Sequence, residues 1–259
     1  AGDARARTAS LASSVGLLRR ASRLCASRRW RARLRGARLF TVLGGGLDDV
    51  PALFDDRHPL VRAQAAEWAS DHPRPDIVAR LVAMLDDEHT LCRFTVRDSL
   101  LRIGRDAVGP LAEALDGHHG AAACEALRLA AWMPDARFLD AALRLSGDGD
   151  ATVRAPAAAV LGGIGGEAAQ ARLVALLADP DEQVRANAAA GLGRLEAWTA
   201  AAPLSDRLRD PSWGVRSAAA GALRRLGGPG EMLLERALRD RDPFAADMAR
   251  HVLSLREVE

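Results

Sequence analysis

The chain has 259 residues, of which 49% are apolar but only 4% aromatic, with no tyrosine. A core can be buried, but it must be built from Ala, Leu and Val, whose small side chains let helices pack closely. The formal charge is +2, there are three scattered cysteines (Cys25, Cys92 and Cys124), and no run of about 18 apolar residues occurs. These features exclude a disulfide framework, a cysteine-based zinc site and a membrane-spanning helix within this sequence, and favour a reducing compartment.

The net charge conceals an asymmetry. Residues 1–39 carry eleven arginines against one acid, Asp3, whereas residues 40–259 carry 25 arginines against 33 acids. All 36 basic residues are arginine, which fits a codon bias as in a GC-rich bacterial genome rather than a functional choice. The basic stretch 5–38 is suited to contact nucleic acid, an anionic membrane or an acidic partner. The plainer readings are an exposed helical cap, or a cytoplasmic flank following an upstream membrane anchor. The first methionine is Met84, so such an anchor lies within the expectations for this chain.

Taken in order, residues 1–28 form a weakly amphipathic start, with Leu11, Val15 and Leu18 at near-helical spacing and Ser10, Ser13 and Ser14 as cap candidates. The spacing predicts a helix over 30–43, stopped by Gly44-Gly45-Gly46, and a short helix over 48–54. Helix pairs follow at 58–69 and 76–87, 91–104 and 106–117, 151–165 and 167–180, then 182–195 and a helix to 208, 213–228 and 231–240. A last helix is expected over 245–255. Each carries apolar residues at i, i+3, i+4 and i+7, and no window alternates with period two, so no sheet is predicted.

One phrase recurs along this series: an aspartate, five residues, then an arginine that opens an apolar helix. It occurs as Asp56/Arg62, Asp87/Arg93, Asp148/Arg154, Asp179/Arg185 and Asp210/Arg216, with arginines 31, 61, 31 and 31 residues apart. A fixed period of that length is the mark of a stacked repeat protein. The unit at 118–135 departs from it, with His118 at the aspartate position and Cys124 at the arginine position. The last unit keeps Asp240 but has Ala246 where the arginine would stand.

Segments such as DPDEQVRANAAAGLGRL and DPSWGVRSAAAGALRRL resemble HEAT repeats of the short, roughly 30-residue bacterial type related to those of phycobilin lyases. The likeness covers residues 30–255 and implies that the ten Asp and Arg residues form a structural ladder along the stack. SRRWRARLRGARL (27–39) also resembles, loosely, membrane-anchored HEAT proteins found beside cell-envelope glycosyltransferases. Independently of family, an aspartate in a turn can cap the next helix, and an arginine fork can bridge two carboxylates.

The resulting expectation is an all-α, right-handed α-solenoid of about eight HEAT-like helix pairs over 30–259, preceded by a basic arm or helical cap at 1–29. Catalytic, cofactor and metal sites are not expected. His118-His119 beside Cys124 is a weak ligand set against a solvated turn, and the glycine pairs lack the strand and Lys-Ser/Thr ending of a phosphate loop. Gly162-Gly163, inside its helix, reads as a cost to stability and a bend. The face of the arginine-bearing helices is expected to bind a protein or peptide, with Arg97, Arg102, Arg128, Trp132, Arg194 and Arg225 as contact candidates. At Trp132 the competing reading is core filler. Alternatives to this scaffold are a nucleic-acid binder using the basic arm, or a lyase-chaperone for a bilin-type cofactor. The expected location is cytoplasmic, free or tethered to the inner membrane by a segment outside this sequence.

Overall fold

The computed structural model describes residues 16–117 and 120–254. All regular structure among them is helical, in fifteen α-helices and four short 3-10 segments, and the fold is an all-α solenoid of helix pairs. The cap candidates Ser10, Ser13 and Ser14, the apolar Leu11 and Val15, the His118-His119 pair and Leu255 lie outside the described residues. The chain forms two compact units, residues 1–114 and 115–259.

The first unit begins with α1 (Leu17–Cys25) and α2 (Trp30–Leu43). A Cβ placed on Gly36 of α2 would lie 2.6 Å from the Cys25 sulfur and 2.8 Å from the Ala21 carbonyl oxygen, so α1 packs on α2 at glycine distance. After α2, Gly44, Gly45 and Gly46 all take positive φ (86, 80 and 82), a run that other residues would enter only under strain. Trp68 is fully buried beneath this loop and donates its indole N–H to the Gly45 carbonyl at 2.8 Å. The helix expected over 48–54 is only a 3-10 turn, Pro51–Asp55. Pro51 lacks the N–H for an α-helical bond back to Leu47. Next come α3 (Pro59–Ala69), α4 (Pro75–Ala83), α5 (Thr90–Ile103) and α6 (Arg105–Gly117), whose end enters the second unit.

The second unit contains α7 (Gly120–Ala130), α8 (Leu139–Leu145), α9 (Ala151–Ile164), α10 (Glu167–Leu176) and α11 (Glu182–Arg194). The single helix expected up to Leu208 is broken into a 3-10 turn at Trp198–Ala200, α12 (Ala201–Asp206) and a second 3-10 turn at Arg207–Arg209. Pro203 cannot bond back to the Thr199 carbonyl, so α-helical pairing starts late. The unit closes with α13 (Trp213–Arg225), α14 (Gly228–Ala237) and α15 (Pro243–Ser254).

In this unit the arginine-bearing helices lie side by side. A Cβ on Gly162 of α9 would sit 2.4 Å from the Gly191 Cα of α11, and one on Gly193 would sit 2.8 Å from the Ala222 Cβ of α13. Besides the bend and the propensity cost expected of Gly162-Gly163, Gly162 has a packing role. The helix runs on to Ile164, and Gly162 lets the next helix approach.

Candidate functional site

The recurrent arginines share one geometry. Arg62 sits on the first turn of α3. Its Nη1 donates to the carbonyl of Asp56, six residues back, at 2.8 Å. Its Nε and Nη2 grip the carboxylate of Asp87, the aspartate of the next turn, at 2.7 and 2.9 Å. Arg154 does the same with the Asp148 carbonyl and the Asp179 carboxylate, and Arg185 with the Asp179 carbonyl and the Asp210 carboxylate. Each fork thus joins a carboxylate to a backbone carbonyl, and Arg62 also has Glu88 at 3.8 Å. Within a phrase, the Asp and Arg meet through the backbone only.

These pairs are withdrawn from water: side-chain exposure is 11% for Arg185 and 2% for Asp210. Each ladder aspartate also accepts the N–H two residues on, as Asp179 does from Asp181 at 2.9 Å. Where the following helix is capped, another side chain does it, and α5 and α13 have no side-chain cap. Asp150 accepts from Thr152, and Asp181 from Gln183 and Val184.

Arg33, which the sequence phrase missed, belongs to the set. It grips Asp56 through Nε and Nη2, and its Nη1 donates to the carbonyl of Ser27, again six residues back. A serine stands where the other phrases have aspartate, so the only surviving signal was an arginine 29 residues ahead of Arg62. A second set was also missed. Arg144, Arg172 and Arg207 on the partner helices donate to the Leu115, Ser146 and Leu177 carbonyls, at helix C-termini, at 2.6, 2.8 and 3.2 Å.

Three phrases deviate. Arg93 keeps the bond to the Asp87 carbonyl at 2.6 Å and reaches Thr90, but no carboxylate among the described residues. Among the described residues no arginine bonds to the Asp148 carboxylate, which accepts the Asp150 N–H at 2.8 Å. The arginine that would hold it is replaced by Cys124, whose thiol donates to the Thr152 carbonyl at 3.1 Å. Pro156, inside α9, has no N–H for that carbonyl, so the thiol fills the vacancy. Burial raises the Cys124 pKa, and burial also pushes Cys25 and Cys92 up to about 12, which makes all three poor nucleophiles. Third, Arg216 misses Asp240, which Arg209 holds instead.

Burial pushes the Asp87 carboxyl up, but the Arg62 fork and the His89 N–H outweigh it and leave the group at about 2. A carboxyl depressed in the folded state contributes stability that is present above its unfolded value near 4 and is lost as pH falls towards 2. Asp56, Asp179 and Asp210 are lowered for the same balance of reasons. Acid titration followed by circular dichroism should therefore show unfolding between about pH 4 and 2. An Asp87→Asn variant should start less stable and show a shallower acid loss.

The contact candidates do not form one cluster. Arg97 is half-buried, and Arg102 is exposed with its guanidinium 3.9 Å from Asp98. Both belong to the first unit. In the second, Arg128 is exposed and pairs with Glu125 at 2.8 Å, and Arg225 is exposed. Arg194 lies over the end of α9, donating to the Gly162 and Ala159 carbonyls. Burial and the neighbouring Arg225 lower its pKa. Trp132, one turn beyond Arg128, is 78% exposed and so is not core filler.

Elsewhere, eight of the nine arginines between residues 19 and 38 are exposed, and none of the eight pairs with a carboxylate among the described residues. Among those residues no three His, Cys, Asp or Glu side chains converge as a metal-binding set, and no helix is long and apolar enough to cross a membrane.

Residues 171–254 match the family model for HEAT repeats. Among solved structures, an engineered protein is 17% identical over 95% of this chain and 80% of its own, with a TM-score of 0.50. The Escherichia coli protein YibA is 19% identical over 93% of this chain and 96% of its own, also at 0.50. The CpcE–CpcF complex of a Nostoc phycocyanin lyase is 17% identical over 91% and 92%, at 0.41. No curated protein matches by sequence. The match places HEAT repeats at residues 171–254, and the helix pairs described above make the chain an all-α helical-repeat protein.

Proposed function

We propose that the chain is a non-catalytic scaffold that binds a protein partner, with the Arg–Asp ladder holding the repeats and exposed aromatics making the contact. One observation carries this reading. In a chain with ten aromatic residues, five stand at least 60% exposed, namely Phe94, Trp132, Trp198, Trp213 and Phe244. The core buries Phe40, Phe54, Trp68 and Phe138 and leaves these five rings outside, and solvent-exposed rings have a cost that binding would remove. Trp132 beside Arg128 is the strongest pair, because tryptophan and arginine dominate binding hot spots.

The test is affinity capture from a lysate of the source cell, with wild type and Trp132→Ala compared by quantitative mass spectrometry. The reading expects a defined protein to be depleted at least about ten-fold from the variant, a loss of roughly 1.4 kcal/mol or more, at unchanged melting temperature. Recovery of nucleic acid alone would contradict it.

A second reading rests on the exposed, carboxylate-free arginines of residues 19–38. There the partner would be nucleic acid held by its phosphates. Its affinity would fall steeply with salt, by about 0.9 log units per log unit of salt for each phosphate neutralised. Salt-insensitive binding, or binding that survives neutralising these arginines, would remove this reading.

A further inference from the structure

Arg216, like Arg93, has no carboxylate on its fork among the described residues, and unlike Arg93 it is buried. Its Nη1 is anchored like the others, donating to the Asp210 and Pro211 carbonyls at 2.7 and 2.9 Å, just as Arg185 holds the Asp179 and Pro180 carbonyls at 2.8 and 3.0 Å. On Arg33, Arg62, Arg154 and Arg185 the Nε–Nη2 edge closes on an aspartate. On Arg216 the Nε is buried and meets no acceptor among the described residues, although the residue is only 7% exposed. A buried donor without a partner is rare enough to need an explanation.

The surroundings supply one. Arg216 lines a pocket of about 460 Å³ together with Trp213, Phe244, Asp247, Met248 and His251. The Phe244 ring lies over the guanidinium, 4.8 Å from ring centre to the guanidinium carbon. Phe244 is 60% exposed and Trp213 is 64% exposed, so both rings face solvent at the mouth. Asp247 is turned to Arg250 and is 70% exposed, and His251 is exposed. Arg216 is therefore the one buried charge lining this pocket, and it is positive.

We propose that this pocket receives an aspartate or glutamate side chain of a protein partner. The carboxylate takes the Nε–Nη2 edge of Arg216, with the geometry that Asp56, Asp87, Asp179 and Asp210 show on their own arginines. The apolar residue beside it packs on Trp213, Phe244 and Met248. This inference rests on the protein-binding reading, two of whose exposed rings, Trp213 and Phe244, lie here, but the pocket does not include Arg128 or Trp132, so loss of binding at one can be told from loss at the other.

The test follows the arginine Nε–Hε signals of the 15N-labelled full chain by NMR during titration with the peptide acetyl-Leu-Ala-Asp-Pro-Ser-amide. Its controls are the same peptide with Asn for Asp, and sodium acetate. The expected result is a saturable downfield shift of the Arg216 signal, at least ten-fold tighter for the Asp peptide than for either control. Trp213→Ala and Phe244→Ala, which remove exposed rings and should leave the fold intact, should each weaken it at least three-fold. The proposal is overturned if the Arg216 signal stays still, if the Asn peptide or acetate matches the Asp peptide, or if the exposed arginines of residues 19–38 shift equally. It is also overturned if a Glu257→Gln/Glu259→Gln variant alone moves the Arg216 signal of the free protein, since the occupant is then the chain itself.

Discussion

Arg185→Ala is expected to destabilise the second unit by about 3–5 kcal/mol, the range for removing one partner of a buried ion pair. The magnitude follows from what is left behind. Asp210, at 2% side-chain exposure, would keep its charge and lose both bonds to the fork, at 2.8 and 2.9 Å. The Asp179 and Pro180 carbonyls would lose their donor as well. This exceeds the ~1–3 kcal/mol that a partly buried charged hydrogen bond alone would suggest. Because each repeat touches only its neighbours, the loss should fall on the contact between α11 and α13 and should lower the cooperativity of unfolding. The internal comparison is Arg93→Ala. Arg93 has no carboxylate partner among the described residues, so no buried anion is stranded there, and the cost should be about 1 kcal/mol. Urea denaturation followed by circular dichroism measures both. Equal losses would mean that the carboxylate grip adds nothing.

Gly162→Ala should destabilise by about 1–3 kcal/mol, the usual cost of forcing extra volume into a packed interface. Alanine is the better helix former by about 1 kcal/mol, so on propensity alone the substitution should stabilise. Packing decides the sign. The new Cβ would lie 2.4 Å from the Gly191 Cα and 2.7 Å from the Arg194 Nη2, and a backbone atom cannot rotate away. The helices α9 and α11 must separate, and Arg194 must release the Gly162 carbonyl. Gly221, within α13, has nothing within 4 Å of a built Cβ, so Gly221→Ala should show propensity alone and stabilise by ~0.5–1 kcal/mol. Thermal melts of the two variants should move in opposite directions. If both rise, the close approach of α9 and α11 is not a real constraint.

The ladder phrase was legible because it is written in side chains at a fixed period, and the helix pairs followed from it. Arg33 was hidden because Ser27 replaces the aspartate, and a serine carbonyl serves as well as an aspartate carbonyl when only the backbone is used. The arginines on the partner helices were illegible for the same reason: Arg144, Arg172 and Arg207 bond to carbonyls, which every residue possesses. The packing role of Gly162 was illegible because it depends on a neighbour 29 residues away, whereas propensity sees only its own helix. Cys124 looked like a lost arginine. In the structure it also answers Pro156, and the two positions lie in different helices. Trp132 was undecidable by periodicity, since a residue just past a helix end follows neither face.

The central claim is that the buried Arg–Asp contact keys one repeat to the next, and a double-mutant cycle on Arg185 and Asp210 tests it most directly. With both residues replaced by alanine, singly and together, the ladder predicts a coupling energy of about 2–3 kcal/mol, the upper part of the range for side chains in direct contact. Effects that add to within about 0.5 kcal/mol would contradict it, because residues that do not interact behave that way.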